Sequence, residues 1–172
     1  MILWNEIKGE NRMSYKDYEK SLDLIRENKG LLIESKGVSK ETIELAEKRL
    51  NINFSYLYNK FLMDFGVLYF DDLEIYGIVN DEIGEEIGTP DAIWYTLDER
   101  KGMNLPENLI IIANFGEGEL YCLDLNNINK TNGEPKVIIY IPGYELDEQP
   151  NEIIAEDFGE FLYNQLSLIL ID

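Results

Sequence analysis

The chain has 172 residues, a length that suits one domain, and its 45% of hydrophobic residues is enough for a sizeable core. The formal net charge of −19 would repel nucleic acids and anionic lipid headgroups. The single cysteine excludes an internal disulfide, and the longest apolar run, residues 109–113, is far shorter than the roughly 20 residues of a membrane span. We therefore expect a cytoplasmic protein with no nucleic-acid or membrane partner.

A serine stands immediately before each of three apolar segments of helical period, and serine is a favoured N-cap residue. The pattern predicts helices over residues 15–28, 40–51 and 56–65, with Ser14, Ser39 and Ser55 as their caps. The third helix carries a broad apolar stripe that includes Leu57, Phe61 and Leu62, so Phe61 should lie in the core. Gly66 is well placed to end this helix.

After Gly66 the apolar period changes to that of strands, and residues 67–70 and 73–76 predict a hairpin. An acidic, glycine-punctuated segment follows, residues 79–88, which we call the acidic loop. Thr89 as cap and Pro90 at the first helical position predict a helix that ends near Lys101.

The rest of the chain predicts strands over residues 109–113, 119–125 and 136–141, and a last helix over residues 154–169. This order of elements favours an α+β fold, with an antiparallel or mixed sheet packed against helices. The sequence shows no internal repeat and no low-complexity linker, so we expect a single domain over residues 1–172.

The chain lacks the side chains that most catalytic sites require. It has no histidine, which removes Ser-His-Asp and Cys-His systems and the usual zinc sites, and it has no phosphate-binding glycine loop. Cys122 lies within an apolar strand pattern and is interpreted as a core residue. A carboxylate pair for glycoside hydrolysis has little support, because the chain contains 34 acids. We therefore expect no enzymatic activity and no cofactor.

The negative charge is concentrated after residue 60. Residues 1–60 hold 11 basic and 10 acidic side chains, whereas residues 61–172 hold 4 and 24. No Lys or Arg occurs from Phe61 to Glu99, or from Val137 to the end. Such a surface would attract a basic protein or a cation, and the alternative is that the acidity serves solubility alone.

The candidate partner-binding residues lie in and beside this acidic part of the chain. They are Asp81, Glu82, Glu85 and Glu86 of the acidic loop, Trp94 and Tyr95 on the following helix, and Glu117 and Glu119 in a glycine turn. Adjacent helical residues point about 100° apart, so we do not expect the two aromatic rings both to be fully buried. Protein interfaces are enriched in Trp and Tyr, so an exposed ring here could contact a partner. The loop acids are also hard oxygen ligands for calcium, but their spacing does not follow an EF-hand, and a solvated loop is the simpler account.

Five short motifs resemble, in order, those of the SUKH superfamily. Residues 43–50 are similar to its opening "I…E…L" helix, and residues 54–62 resemble its "LP..Y..FL" segment, with Ser55 where the family has proline. The other three are residues 105–124, which resemble its central strands and turn, residues 135–143, which fit its next strand, and residues 155–162, which resemble its closing "A.SF.EFL" helix. The best match covers residues 39–166, and residues 1–38 are expected to form an N-terminal helical extension packed on it.

The resemblance implies an α+β immunity fold that acts by binding rather than by catalysis. Bacterial members neutralise a polymorphic toxin, and the superfamily also includes fungal regulators of cell-wall assembly. We therefore expect an immunity protein, monomeric when free, that binds a cognate toxin domain with a basic active-site groove, such as a nuclease. The alternative is a regulatory or scaffold protein that has no toxin partner.

Overall fold

The computed structural model describes residues 15–33, 35–81, 83 and 88–171. It contains α1 (Lys16–Glu27), α2 (Lys40–Leu50), α3 (Tyr56–Asp64), α4 (Ala92–Met103) and α5 (Phe158–Ile169). The strands are β1 (Leu68–Phe70), β2 (Leu73–Ile75), β3 (Leu109–Ala113), β4 (Leu120–Ile128), β5 (Pro135–Tyr140) and β6 (Ile153–Ala155). The predicted α+β class is confirmed.

The larger sheet is antiparallel, with strand order β3-β4-β5-β6, and β1 and β2 form a separate hairpin. The segment after β2 connects the hairpin to the large sheet, because the Tyr76 N–H donates a hydrogen bond to the Ile112 carbonyl of β3 at 2.8 Å. One face of the large sheet packs against α5, on which α1 and α3 pack in turn, and the opposite face packs against α4. The sheet is therefore the middle layer, and α4 also contacts α2, where the Arg100 guanidinium donates to the Leu50 carbonyl at 2.8 Å.

The apolar stripe of α3 lies at the centre of the core, as predicted. Phe61 is fully buried, and its ring centroid lies 5.0 Å from that of Phe158 on α5. The Tyr58 ring contacts both, at 5.9 Å from Phe61 and 5.3 Å from Phe158. These three rings bring α3 and α5 together over the sheet.

The N-terminal segment is attached to this core through α1. Tyr18 is buried, and its hydroxyl donates to the Asp64 carboxylate at the end of α3, at 2.9 Å. Gly159 lets α1 approach α5 closely, since a Cβ there would lie 3.0 Å from the Tyr18 backbone nitrogen. The helix prediction for this segment is confirmed, and its expected cap, Ser14, lies outside the described residues.

The predicted caps of α2 and α3 have different outcomes. The Ser39 side chain accepts a hydrogen bond from the Thr42 N–H, so that cap is confirmed. Ser55 occupies the N-cap position of α3 as predicted, but its side chain makes no cap hydrogen bond. Glu134, from the β4–β5 turn and 2% exposed, accepts from the Leu57 N–H at 3.3 Å instead. Burial raises the pKa of the Glu134 carboxyl, and the hydrogen bond from the Leu57 amide opposes that rise.

The last helix begins four residues later than predicted, at Phe158. The prediction of helix from residue 154 is wrong, because residues 153–155 pair with β5 as strand β6. Asp157 then caps α5, since its carboxylate accepts from the Glu160 N–H at 2.9 Å. The apolar residues at 153–155 fit a strand and a buried helix equally well, and pairing with β5 decides between them.

Phe61→Ala should lower the free energy of unfolding by about 3–5 kcal/mol, because it opens a cavity among three packed rings. That is a large share of the about 5–15 kcal/mol typical of a domain. Met63→Ala, on the same helix but 46% exposed, is the matched control and should change stability by less than about 0.5 kcal/mol. Chemical denaturation measures both variants, and equal losses would contradict the central position of Phe61.

Glu134→Ala should cost about 1–3 kcal/mol of stability, because it leaves the buried Leu57 N–H without its acceptor. Glu134→Gln keeps one carbonyl oxygen at that position and should cost less. Equal stability of wild type and Glu134→Ala in urea denaturation would show that Glu134 does not cap α3.

The wild type and Glu134→Gln together also test the raised pKa of the Glu134 carboxyl. A carboxyl whose pKa is raised by folding takes up its proton at a higher pH in the folded state than in the unfolded state. Relative to Glu134→Gln, the wild type should therefore gain stability as the pH falls from neutral through the raised pKa towards the ordinary value of Glu. The other acids titrate alike in both proteins, so their effects cancel in the stability difference between them. A stability difference that does not change with pH would exclude a raised pKa of Glu134.

Candidate functional site

A buried carboxylate fixes the start of α4, the helix that carries the aromatic pair. The predicted cap at Thr89 is wrong, because residues 89 and 90 form a turn that the Asp91 N–H closes by donating to the Gly88 carbonyl at 3.0 Å. The helix begins at Ala92, and Asp91 is its N-cap. The Asp91 carboxylate accepts from the Trp94 N–H at 2.8 Å and from the Val79 N–H at 3.1 Å. One buried side chain therefore fixes both the first turn of α4 and the first residue of the acidic loop.

Burial raises the pKa of the Asp91 carboxyl, and the hydrogen bonds from backbone amides oppose that rise. Only glycine fits at the neighbouring position 77, since a Cβ there would lie 1.8 Å from the Gly66 carbonyl oxygen. The close approach of residues 66, 77 and 91 is therefore a fixed feature of this end of the molecule. The sequence did carry a signal for this cap, because Asp is as good an N-cap residue as Ser and Asp91 stands directly before Ala92.

The two aromatic side chains of α4 are both half-buried, which agrees with the prediction that they cannot both be fully buried. Their ring centroids lie 6.1 Å apart with an interplanar angle of 21°. The Tyr95 hydroxyl accepts a hydrogen bond from the Asn114 side-chain amide at 3.1 Å. Asn114 follows β3, so this bond attaches the aromatic pair to the β3–β4 turn.

The β3–β4 turn carries the other two predicted acids. The Asn114 side-chain oxygen accepts from the Gly116 N–H at 2.9 Å, and Gly116 has a left-handed φ of 86°. Glu117 is exposed at the tip, and Glu119 is half-buried. Trp94, Tyr95 and the turn with these two acids therefore form one connected surface, which we call the α4–turn surface.

The acidic loop is held by a different element. Among its four predicted acids the structure describes Asp81 alone, and Glu82, Glu85 and Glu86 lie outside the described residues. The Asp81 carboxylate accepts a hydrogen bond from the Thr42 hydroxyl at the start of α2. Asp81 also lines a shallow hollow with Lys48 and Arg49. No basic residue is near Asp81 in sequence, but the fold brings two basic side chains of α2 beside it.

A further loop, residues 141–152 between β5 and β6, was not among the predicted sites. It is folded around Gln149, which is buried and whose amide donates to the carbonyls of Ile141 and Tyr144. Its acids are all exposed: Glu145, Asp147, Glu148 and Glu152. The absence of Lys and Arg from Val137 to the end is the sequence signal that could have indicated this loop.

Cys122 is fully buried, as predicted, and burial raises the pKa of its thiol, which keeps it a weak nucleophile. Within the described residues, no group of three or more Cys, Asp or Glu side chains could hold a metal ion. In the same part of the chain, no helix is long and apolar enough to cross a membrane.

Comparison with known families agrees with the motifs and the fold. A SUKH family model, described as SMI1-KNR4 cell-wall, matches residues 17–167. The match therefore includes α1, the α4–turn surface and the loop of residues 141–152. No curated protein matches the chain. Because the family model spans most of the chain and the α+β fold agrees with it, the protein belongs to the SUKH (SMI1-KNR4) family.

Proposed function

We propose that this protein is an immunity protein that binds a cognate polymorphic toxin and neutralises it by covering a basic active-site groove, such as that of a nuclease. The proposal rests on membership of the SUKH family and on the charge after residue 60, where the chain has 24 acidic and only 4 basic side chains. The family is not known for enzymatic activity, which agrees with a binding role.

The α4–turn surface suits such a contact. Trp94 and Tyr95 are half-buried, so each ring is held in place while part of it remains available to a partner. Aromatic residues of this kind often supply much of the free energy of binding at interfaces. Glu117 and Glu119 lie in the turn to which Tyr95 is attached, and a basic groove would meet their charges beside the rings.

The acidic loop would contribute to the rate of association. Charges on a protein surface attract a partner of opposite sign over about one Debye length, which is about 10 Å at 0.1 M salt. Lys48 and Arg49 reduce the local potential near Asp81, so we expect the other loop acids, Glu82, Glu85 and Glu86, to provide most of the attraction.

The direct test is co-expression with the protein encoded beside this chain's gene. We expect a complex that survives purification and abolishes the activity of that protein. A stable complex without any loss of toxic activity would favour the alternative, a regulatory or scaffold protein. Full toxicity with no complex would contradict the immunity role.

Charge steering by the acidic loop is tested by changing Asp81 to Asn and Glu82, Glu85 and Glu86 to Gln. Association with the toxin domain should slow by about tenfold or more at low salt, and the difference should shrink as ionic strength rises. Dissociation should change less, because rim charges act mainly on the rate of association. Stopped-flow mixing over a range of salt concentrations measures both rates.

The matched control removes the same number of charges from exposed acids of the first 60 residues: Glu19, Glu27, Glu41 and Glu44, each changed to Gln. The two variants have the same net charge, so a difference between them reports the position of the acids. Equal rates for the two variants at every salt concentration would remove the acidic loop from the encounter.

A further inference from the structure

One face of the four-stranded sheet is only partly covered. On this face α4 packs mainly against β3, at the edge of the sheet. The outer strands β5 and β6 place Ile138 and Ile153 opposite each other on the same face. Ile138 is half-buried, and Ile153 is 45% exposed. We call this apolar region, with the loop of residues 141–152 beside it, the open face.

A hollow of about 220 Å³ lies on the open face. Its walls include Pro106 and Leu109 on the α4 side, and Ile138, Tyr140 and Leu146 on the other. Leu146 stands at the rim and is 67% exposed, so most of its side chain is available to a partner. The hollow is large enough to admit one apolar side chain of a partner, with Leu146 packing over it.

The loop that presents Leu146 is organised before any partner binds. The Gln149 side-chain oxygen accepts from the Ile141 N–H at 2.8 Å, and its amide donates to the Ile141 and Tyr144 carbonyls at 2.9 and 3.1 Å. The Glu148 N–H closes the turn on the Glu145 carbonyl at 3.0 Å. A loop that is already ordered loses less conformational entropy on binding, so an exposed leucine on it can contribute more to affinity.

The charge around the open face selects the partner. The loop of residues 141–152 has four exposed acids and no base. Lys136 of β5, on the same face, forms an ion pair with the Glu156 carboxylate at 2.9 Å. The lining of the hollow also includes Asp124 and three amide side chains, so it offers apolar walls beside an acid, which complements a basic surface that carries an apolar side chain.

We propose that the open face is a docking surface for a basic protein segment, which inserts one apolar or aromatic side chain into the hollow beneath Leu146. The proposal rests on the proposed function, because the expected partner is the same basic toxin domain. It extends the contact from the α4–turn surface across the sheet, since Tyr95 and Ile138 pack against the same apolar cluster.

The first experiment compares Leu146→Ser with Leu168→Ser in binding to the purified protein encoded beside this chain's gene. Leu168 is 58% exposed on α5, on the other side of the sheet, so it is a matched surface leucine. Calorimetry should show that Leu146→Ser weakens binding by about tenfold or more, the effect of removing a leucine from a buried contact. Leu168→Ser should bind like the wild type. Equal affinities for both variants would overturn the proposal.

The second experiment does not depend on a toxin. A short synthetic peptide rich in Arg and Lys, with one central tryptophan, is titrated into the isotope-labelled protein at low salt. Amide shifts should be largest at Ile138, Leu146 and Ile153, and Leu146→Ser should abolish them. A control peptide with glycine in place of tryptophan should give weaker shifts. Absence of shifts on the open face, or larger shifts in the acidic loop, would overturn the proposal.

The two experiments separate the inference from the proposed function. If the adjacent gene product does not bind and the peptide maps to the open face, the immunity role fails and the docking surface stands. If the gene product binds and Leu146→Ser has no effect, the immunity role stands and the docking surface is wrong.

Discussion

The packing of Tyr58 joins the parts of this molecule that are far apart in sequence. Its ring lies against Phe61 and Phe158, which brings α3 and α5 together, and its hydroxyl donates to the Tyr76 carbonyl at 2.9 Å. Tyr76 in turn donates its N–H to Ile112 of β3. One buried side chain thus connects the helical layer to the segment that links the hairpin with the large sheet. The position of α4 depends on this segment, because Gly77 pairs with Asp91.

An excess of negative charge constrains the fold as well as the surface. After residue 60 there are few Lys or Arg side chains to neutralise the acids, so buried carboxylates need other partners. The structure uses the N-termini of helices, where backbone amides and the helix dipole favour negative charge. Glu134 caps α3, Asp91 caps α4 and Asp157 caps α5. Each of these acids is buried, so acidity in this chain serves helix formation in addition to solubility.

The same excess shapes the surface around α4. The aromatic pair and the β3–β4 turn lie at one end of this helix, and the open face lies beside it over β5 and β6. Both regions combine apolar side chains with acids, whereas Asp81 lies beside the basic side chains of α2. A basic partner that approached α4 would therefore meet two regions that favour it.

Local signals in the sequence determined most of the elements. Helical periodicity indicated α1, α2 and α3, apolar segments bounded by turn glycines indicated β3, β4 and β5, and the family motifs indicated the fold. These signals depend on residues within a few positions of one another, so they are readable without the structure. The burial of Phe61 and Cys122 followed from the same patterns.

Contacts between distant residues were decided by the tertiary structure alone. Glu134 replaces Ser55 at the start of α3 from 77 residues beyond Leu57, and no local pattern specifies such a pairing. Pairing with β5 makes residues 153–155 a strand, although their apolar character also fits a helix. The open face depends on how far α4 extends over the sheet. Helix periods and turns are set by neighbours along the chain, but caps, strand partners and exposed faces are set by whichever segments meet in space.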